Sequence, residues 1–288
     1  MLKRTGCLRL LRQGIVCLLL LVLSAPLWAD SEVMESIGQG QIDWERGVIQ
    51  VKGSGAIAQT PGTSLAKAKL MAERAAKADA YRNGLEVLEG VRVSSETLVK
   101  DFETLNDEIR TSVQGYLKGA RLISTEYTYD GICEVVMELP LWGRSDFSRL
   151  LFESAKPKMV WPTPVVVQPK RTEVIYTGII IDTRGLEVKP ALYPQVFDSD
   201  GFLLYGPTMV SFDLIKTKTM VAYTRSLERA LAMDRAGKKP LQIMAISVIK
   251  ATNGEITDIV LSAGDSRAFR EAAGYGLLNK AAVVFVID

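Results

Sequence analysis

AKAKLMAERAAKADAYRNGLEVLEGVRV, Ala66 to Val93, decides the fold. Seven of the fifteen residues from Ala66 to Ala80 are alanine, and no proline or glycine interrupts the run before Gly84. Alanine is the best helix former, so the stretch is predicted to be one long helix that ends at Gly90 and passes into a valine-alternating strand, Val91 to Val99. At 100° per residue, Leu65, Ala68, Ala72, Ala75, Ala76 and Ala80 share one stripe, while Leu70, Tyr81, Leu85 and Leu88 gather on nearly the opposite side. Small side chains let a helix axis come close to a packed surface. The stripe is therefore expected to lie on a sheet, with the bulky side Leu70, Tyr81, Leu85 and Leu88 as an interaction surface for a second element or a partner. A helix buried all round is the alternative. Asp79 falls within the alanine stripe and is expected to be a structural anchor, accepting hydrogen bonds from backbone donors or an arginine.

Working outward, GQIDWERGVIQVKGSGAIAQ before the helix reads as a hairpin turned at Glu45, Arg46 and Gly47, while residues 30–39 read as polar and loose. Thr60 to Ser64 form a breaker cluster that ends in a helix cap. Beyond the helix, the fold of the polar run Lys100 to Arg110 is not readable. Arg121 to Tyr129 and Ile132 to Leu139 form a second hairpin turned at Asp130 and Gly131. Strands surrounding one helix describe an α+β domain over residues 40–142: an antiparallel sheet covered on one face by the alanine-rich helix.

Three pieces of this half, IDWERGVIQVKGSGAI, AERAAKADAYRNGLEVLEGVRV and GYLKGARLISTEYTYDGICEVVMELPL, resemble the LPP-type bacterial lipoprotein family. That family includes flagellar outer-membrane lipoproteins and shares its fold with the N-terminal domain of flagellar assembly protein T. The resemblance covers the first half only. It implies an envelope structural role, in some members a ring around the flagellar basal body, and it brings no catalytic residues. The lipidated cysteine of the lipoproteins is missing here, which places the chain nearer the soluble assembly type.

The N-terminus carries an address. Lys3, Arg4, Arg9 and Arg12 precede the apolar run Ile15 to Leu23, and small residues follow at Ser24, Ala25 and Ala29. This is the pattern of a secretory signal peptide over residues 1–29, too short in its apolar part for a membrane span. Cys17 sits near the start of the run, so no lipid anchor is expected, and the mature chain is predicted to be soluble in the periplasm. Losing four basic and no acidic residues moves the formal net charge from +2 to −2, which gives no electrostatic reason to expect nucleic acid. Only Cys133 remains of the three cysteines, so no internal disulfide is available and the fold must rest on core burial.

Residues 155–171 contain Pro157, Pro162, Pro164 and Pro169 and read as an extended linker crossed by few contacts. A second α+β domain is expected over 172–288. Its predicted elements are a buried strand in TEVIYTGIIIDTRG, a hairpin Gln195 to Tyr205, a helix Tyr223 to Arg235, a hairpin joined at Asn253 and Gly254, a short helix Ser266 to Ala273 and a last strand Ala281 to Ile287.

The chain contains no histidine, which removes Ser-His-Asp and Cys-His nucleophilic sites and histidine metal cages. Asp182 ends a hydrophobic strand as the magnesium-binding acids of nucleotide enzymes do, but no GxxxxGK[ST] loop accompanies it, so it stands only as the candidate ligand site of the second half. Asp198 to Gly201 open like a calcium loop without its twelfth-position glutamate, and a turn accounts for them. Gly53 and Gly55 open no helix and make no dinucleotide fingerprint. Lys216 and Lys218 read as solvated strand positions. The expectation is a non-enzymatic envelope scaffold or assembly factor without cofactor or metal. Its partners would be other envelope or basal-body proteins, or further copies of itself. A ligand-binding module or carboxylate enzyme in the second half is the alternative.

Overall fold

The long helix forms as its composition dictates, and the rest of the first half is arranged around it. In the computed structural model, residues 33–58, 61–103, 107–142, 151–155, 176–215 and 217–288 are described; the expected signal peptide and, apart from Ala155, the proline-rich linker lie outside them. Helix α1 (Leu65–Glu89) starts at Ser64, whose hydroxyl accepts the Lys67 N–H at 3.3 Å and so satisfies one of the orphan donors of the first turn. It ends at Gly90. Its buried positions are Ala68, Ala72, Ala76, Ala80, Gly84, Val87 and Leu88. From Ala68 to Gly84 the stripe is thus an i, i+4 ladder, and Leu65 and Ala75 fall outside it, exposed.

That ladder lies on a five-stranded antiparallel sheet built from β1 (Met34–Ile37), β2 (Gly40–Asp43), β3 (Val48–Ala56), β4 (Arg121–Tyr127) and β5 (Ile132–Pro140), in the order β1-β2-β3-β5-β4. Strand β3 alternates cleanly, with Ile49, Val51, Gly53 and Gly55 turned to the helix. A Cβ at Gly53 would stand 2.2 Å from the Ala76 carbonyl oxygen, and one at Gly55 would stand 2.2 Å from that of Ala72. Two glycines on the strand and three alanines on the helix therefore let the two backbones touch. Strand β1 occupies a stretch expected to be loose. It is held by pairing with β2 and by Glu35, which accepts the Trp44 indole N–H at 2.9 Å.

The segment that sequence patterning left open is helical. α2 (Val99–Glu103) and α3 (Asp107–Leu117) pack against α1, and α3 buries Ile109, Val113, Tyr116 and Leu117. The predicted strand Val91–Val99 is replaced by a tight loop with a single bridge between Arg92 and Leu98. Val93 N–H bonds to the Thr97 carbonyl at 2.9 Å and Val99 N–H to that of Val91 at 3.1 Å, so the alternating valines are buried by a reversal rather than by an extended strand.

The second half is also α+β. Its strands are β6 (Gly178–Asp182), β7 (Val196–Phe197), β8 (Leu203–Tyr205), β9 (Val221–Thr224), β10 (Pro240–Lys250), β11 (Ile256–Leu261) and β12 (Val283–Val286). Its helices are α4 (Phe212–Ile215), α5 (Leu227–Ala232) and α6 (Ala263–Ala273). The sheet order is β8-β7-β11-β10-β6-β12-β9, and β10, β6, β12 and β9 run parallel, with β9 at one edge. Tyr223 lies in strand β9, not in a helix. It is fully buried, and its hydroxyl donates to the Ala191 carbonyl at 2.9 Å and accepts the Ala191 N–H at 3.1 Å; the helix expected there begins only after the Ser226 cap.

Residues Glu32–Asp288 group as one compact unit. Among the described residues no helix is long and apolar enough to cross a membrane. The close helix-to-strand contact leaves no room for a side chain on β3. Gly53→Ala is expected to lower the stability of the chain to urea by about 1–3 kcal/mol or more, the cost of overpacking a tight core. The neighbouring outward substitution Ser54→Ala should cost less than half as much.

Candidate functional site

Polar side chains come together at the seam between the halves and on the outer face of the first sheet. The seam is organised by Arg92, which is 5% exposed. Its guanidinium donates to the Pro190 carbonyl at 2.8 Å, pairs with Glu35, stands 3.9 Å from Glu255 and lies over the Trp44 ring at 5.9 Å. The backbone of the same loop accepts from Leu192 at 3.0 Å and from Tyr193 at 2.9 Å. Trp44 meets Tyr223 edge to face at 6.1 Å. Hydrogen bonds, an ion pair and an edge-to-face ring contact therefore cross between the halves at this seam.

Asp258 lies in the same seam, 4% exposed. It accepts hydrogen bonds from Ser95 Oγ at 2.9 Å, Gln195 N–H at 2.9 Å and Thr257 Oγ1 at 3.0 Å. Burial pushes its carboxyl above the usual range, those bonds offset part of the rise, and nearby Glu96 adds to it. These are the marks of a buried structural acid.

The outer face of the first sheet is different. Residues of β3, β5 and β4 form registered rows across it: Ser54, Glu134 and Glu126 in one, Lys52, Val136 and Ser124 in the next. A further row runs Ser36, Gln41, Gln50, Glu138 and Arg121. Strand β2 pairs with β3 only as far as Val51, so beyond that point one edge of β3 has no strand beside it. Two side chains of α1 take the missing strand's place. Asp79 accepts the Ser54 N–H at 3.0 Å, and Asn83 donates to the Lys52 carbonyl at 2.8 Å. Around this sealed edge opens a cleft of about 420 Å³ lined by Gln39, Lys52, Ser54, Asp79, Glu126 and Glu134 among others. A second hollow of about 190 Å³, with Gln39, Gln41, Gln50 and Lys52 in its wall, adjoins it.

The individually expected residues fall as follows. Asp79 is an edge-sealing acceptor, also 3.4 Å from Arg82. Of the expected interaction surface only Leu70 is open, at 49%. Tyr81 and Leu85 are half-buried against the core and Leu88 is buried, because α2 and α3 cover that side of the helix. Asp182 is closed off by Arg184, whose Nε and Nη2 donate to it at 2.9 and 2.6 Å; these bonds hold its carboxyl below the usual range. Asp198 caps the β7–β8 turn, accepting from Asp200 and Phe202 N–H, and pairs with Arg270. Cys133 is buried in β5, and burial raises its thiol. Burial likewise lowers Lys218, which lines a small apolar hollow with Tyr193 and Met220 rather than standing in solvent. The polar outer face escaped sequence reading because each strand contributes only alternate residues to it; the signal was present in the period-two pattern of β3 and β5.

Residues 178–288 are similar to a family described as the second domain of Treponema pallidum Tp0624. The similarity spans the second sheet and its helices. No curated protein matches the chain.

Asp79→Ala strands two donors, the Ser54 N–H and one bond of Asn83. It should cost about 1–3 kcal/mol in urea unfolding; a loss under about half a kcal/mol would contradict the sealing role. For Asp258 the sign follows from its raised value. Stability from this group is fully present below the unfolded carboxylate range and is lost as pH rises through the higher folded value. The stability of the parent chain relative to Asp258→Asn should therefore grow as pH falls from 7 towards about 4, and a flat or opposite trend would contradict the burial argument.

Proposed function

We propose that this chain is a non-enzymatic assembly protein of the bacterial cell envelope, acting by protein contact and possessing a flagellum-like role by virtue of its first half. The observation that carries the reading is an apolar patch at one end of that half. Leu65 and Leu70 on the first turns of α1 are 58% and 49% exposed, and Tyr127 and Tyr129 at the β4–β5 turn are 41% and 112% exposed. Lys69 lies over the Tyr127 ring at 5.0 Å, which puts the helix start and the hairpin end side by side. Exposed apolar residues grouped in this way mark surfaces that associate.

Further support comes from the signal-peptide pattern, from the family resemblance of residues 40–142 and from the closure of Asp182 by Arg184. Strand addition at the outer edge is the less favoured docking mode. Edge strand β4 carries a bulge between Leu122 and Ser124, and edge strand β1 has four residues, both of which discourage edge-to-edge pairing. Partners are therefore read as other envelope proteins, or a second copy, docking on the patch.

A photo-cross-linking side chain at Leu70 tests this in the native host. The expected result is a discrete adduct with an envelope protein or with the chain itself, lost on Tyr127→Ser, together with impaired motility or envelope integrity in the deletion strain. Turnover of a small molecule by the purified chain, abolished by Asp182→Asn without unfolding, would replace this reading with the enzyme.

A further inference from the structure

The outer face of the first sheet treats its carboxylates unequally. Glu138, in the row with Gln50, is served by three groups: Gln50 Nε2 at 3.2 Å, Arg121 Nη2 at 2.8 Å and Arg46 Nη2 at 3.5 Å. Glu126 and Glu134 stand directly opposite each other on β4 and β5, on the same face, and among the described residues neither has an ion-pair partner. Like charges directly opposed across neighbouring strands destabilise a sheet. Lys52 lines the same cleft without pairing with either. The two carboxylates open into the cleft of about 420 Å³, whose far wall is fixed by the Asp79 and Asn83 bonds to β3.

The cleft shares Gln39, Lys52 and Val136 with the neighbouring hollow, which Gln41 also lines, and Ser54 and Ser124 add hydroxyls to the cleft itself. An opposed carboxylate pair recognises a cationic head. A run of amides and hydroxyls beside it matches the donors and acceptors of an extended polypeptide backbone better than those of a compact small ligand. We infer that this groove binds an extended segment of a partner protein that seats a lysine or arginine side chain between Glu126 and Glu134. The inference rests on the reading of the chain as a protein-binding module and assigns it a second contact, separate from the apolar patch.

Fluorescence anisotropy of the purified chain at low salt tests it, with a labelled unstructured peptide of alternating glycine, serine and lysine as probe. The same peptide with glutamine for lysine, and free spermidine, are the comparison ligands. The lysine peptide should bind and the glutamine peptide should not. Glu126→Gln with Glu134→Gln should weaken binding roughly tenfold or more, whereas removing two carboxylates elsewhere, with Glu89→Gln and Asp234→Asn, should leave it within about twofold. The Glu126/Glu134 variant should also withstand urea at least as well as the parent, since it relieves the repulsion between the two carboxylates. Equal binding of the glutamine peptide, an equal loss in the control variant, binding of spermidine without the peptide, or destabilisation of the Glu126/Glu134 variant would each overturn the inference. Because no native partner enters the measurement, such a failure leaves the Leu70 cross-link to stand or fall separately.

Discussion

The backbone of α1 touches the backbone of β3, and the architecture of the first half follows from that contact. The carbonyls of Ala72 and Ala76 occupy the space where side chains of Gly55 and Gly53 would begin. At this separation short polar side chains on the flank of the helix reach the strand's edge, which is why Asp79 and Asn83 can satisfy backbone groups that β2 leaves unpaired. A larger residue anywhere along the ladder would lift the helix and break both the packing and the edge seal. The larger side chains of α1 must then find cover on another flank, and α2 and α3 provide it.

The second constraint is the seam. Arg92 is a buried cation, and burial of a charge is tolerable only where partners replace its water. Glu35, Glu255, the Pro190 carbonyl and the face of Trp44 do so, drawing on both halves of the chain. The loop 91–98 is shaped for this task. Its side chains Val91, Val93 and Thr97 are buried, while its backbone carbonyls at Arg92 and Val93 receive N–H groups from Leu192 and Tyr193. A reversal that presents carbonyls outward is useful here in a way that a strand paired along its length would not be.

Much of this was legible in the sequence where the determinants are local. Alanine density marked α1, and alternating residues bounded by Arg46-Gly47, Asp130-Gly131 and Asn253-Gly254 marked three hairpins that form as read. The rest depends on partners far along the chain. The apolar strands β6 and β12 are buried on both faces, so their residues carry no alternation to show that they pair in parallel with β10 and β9. Helix α3 had a readable spacing, Ile109, Val113, Tyr116 and Leu117, diluted by the charges around it. Arg92 gives no sign in sequence of its role, because its partners Glu35, Pro190 and Glu255 are distant along the chain. The opposed pair Glu126 and Glu134 likewise becomes visible only once the β4–β5 register is known, and that register contains a bulge.

The proposed function rests on surfaces carried on a tightly held core: an apolar patch at the helix start and a polar groove on the opposite face of the same sheet. Both depend on α1 lying against β3 with its side chains sealing the strand's edge. Amide hydrogen exchange at Ser54 tests that claim most directly. The account predicts that this amide, which faces no strand, exchanges as slowly as the amides of Ala76 and Ala80 in the middle of α1, because Asp79 holds it. Exchange at the rate of an open edge amide, with Ala76 and Ala80 still protected, would contradict it.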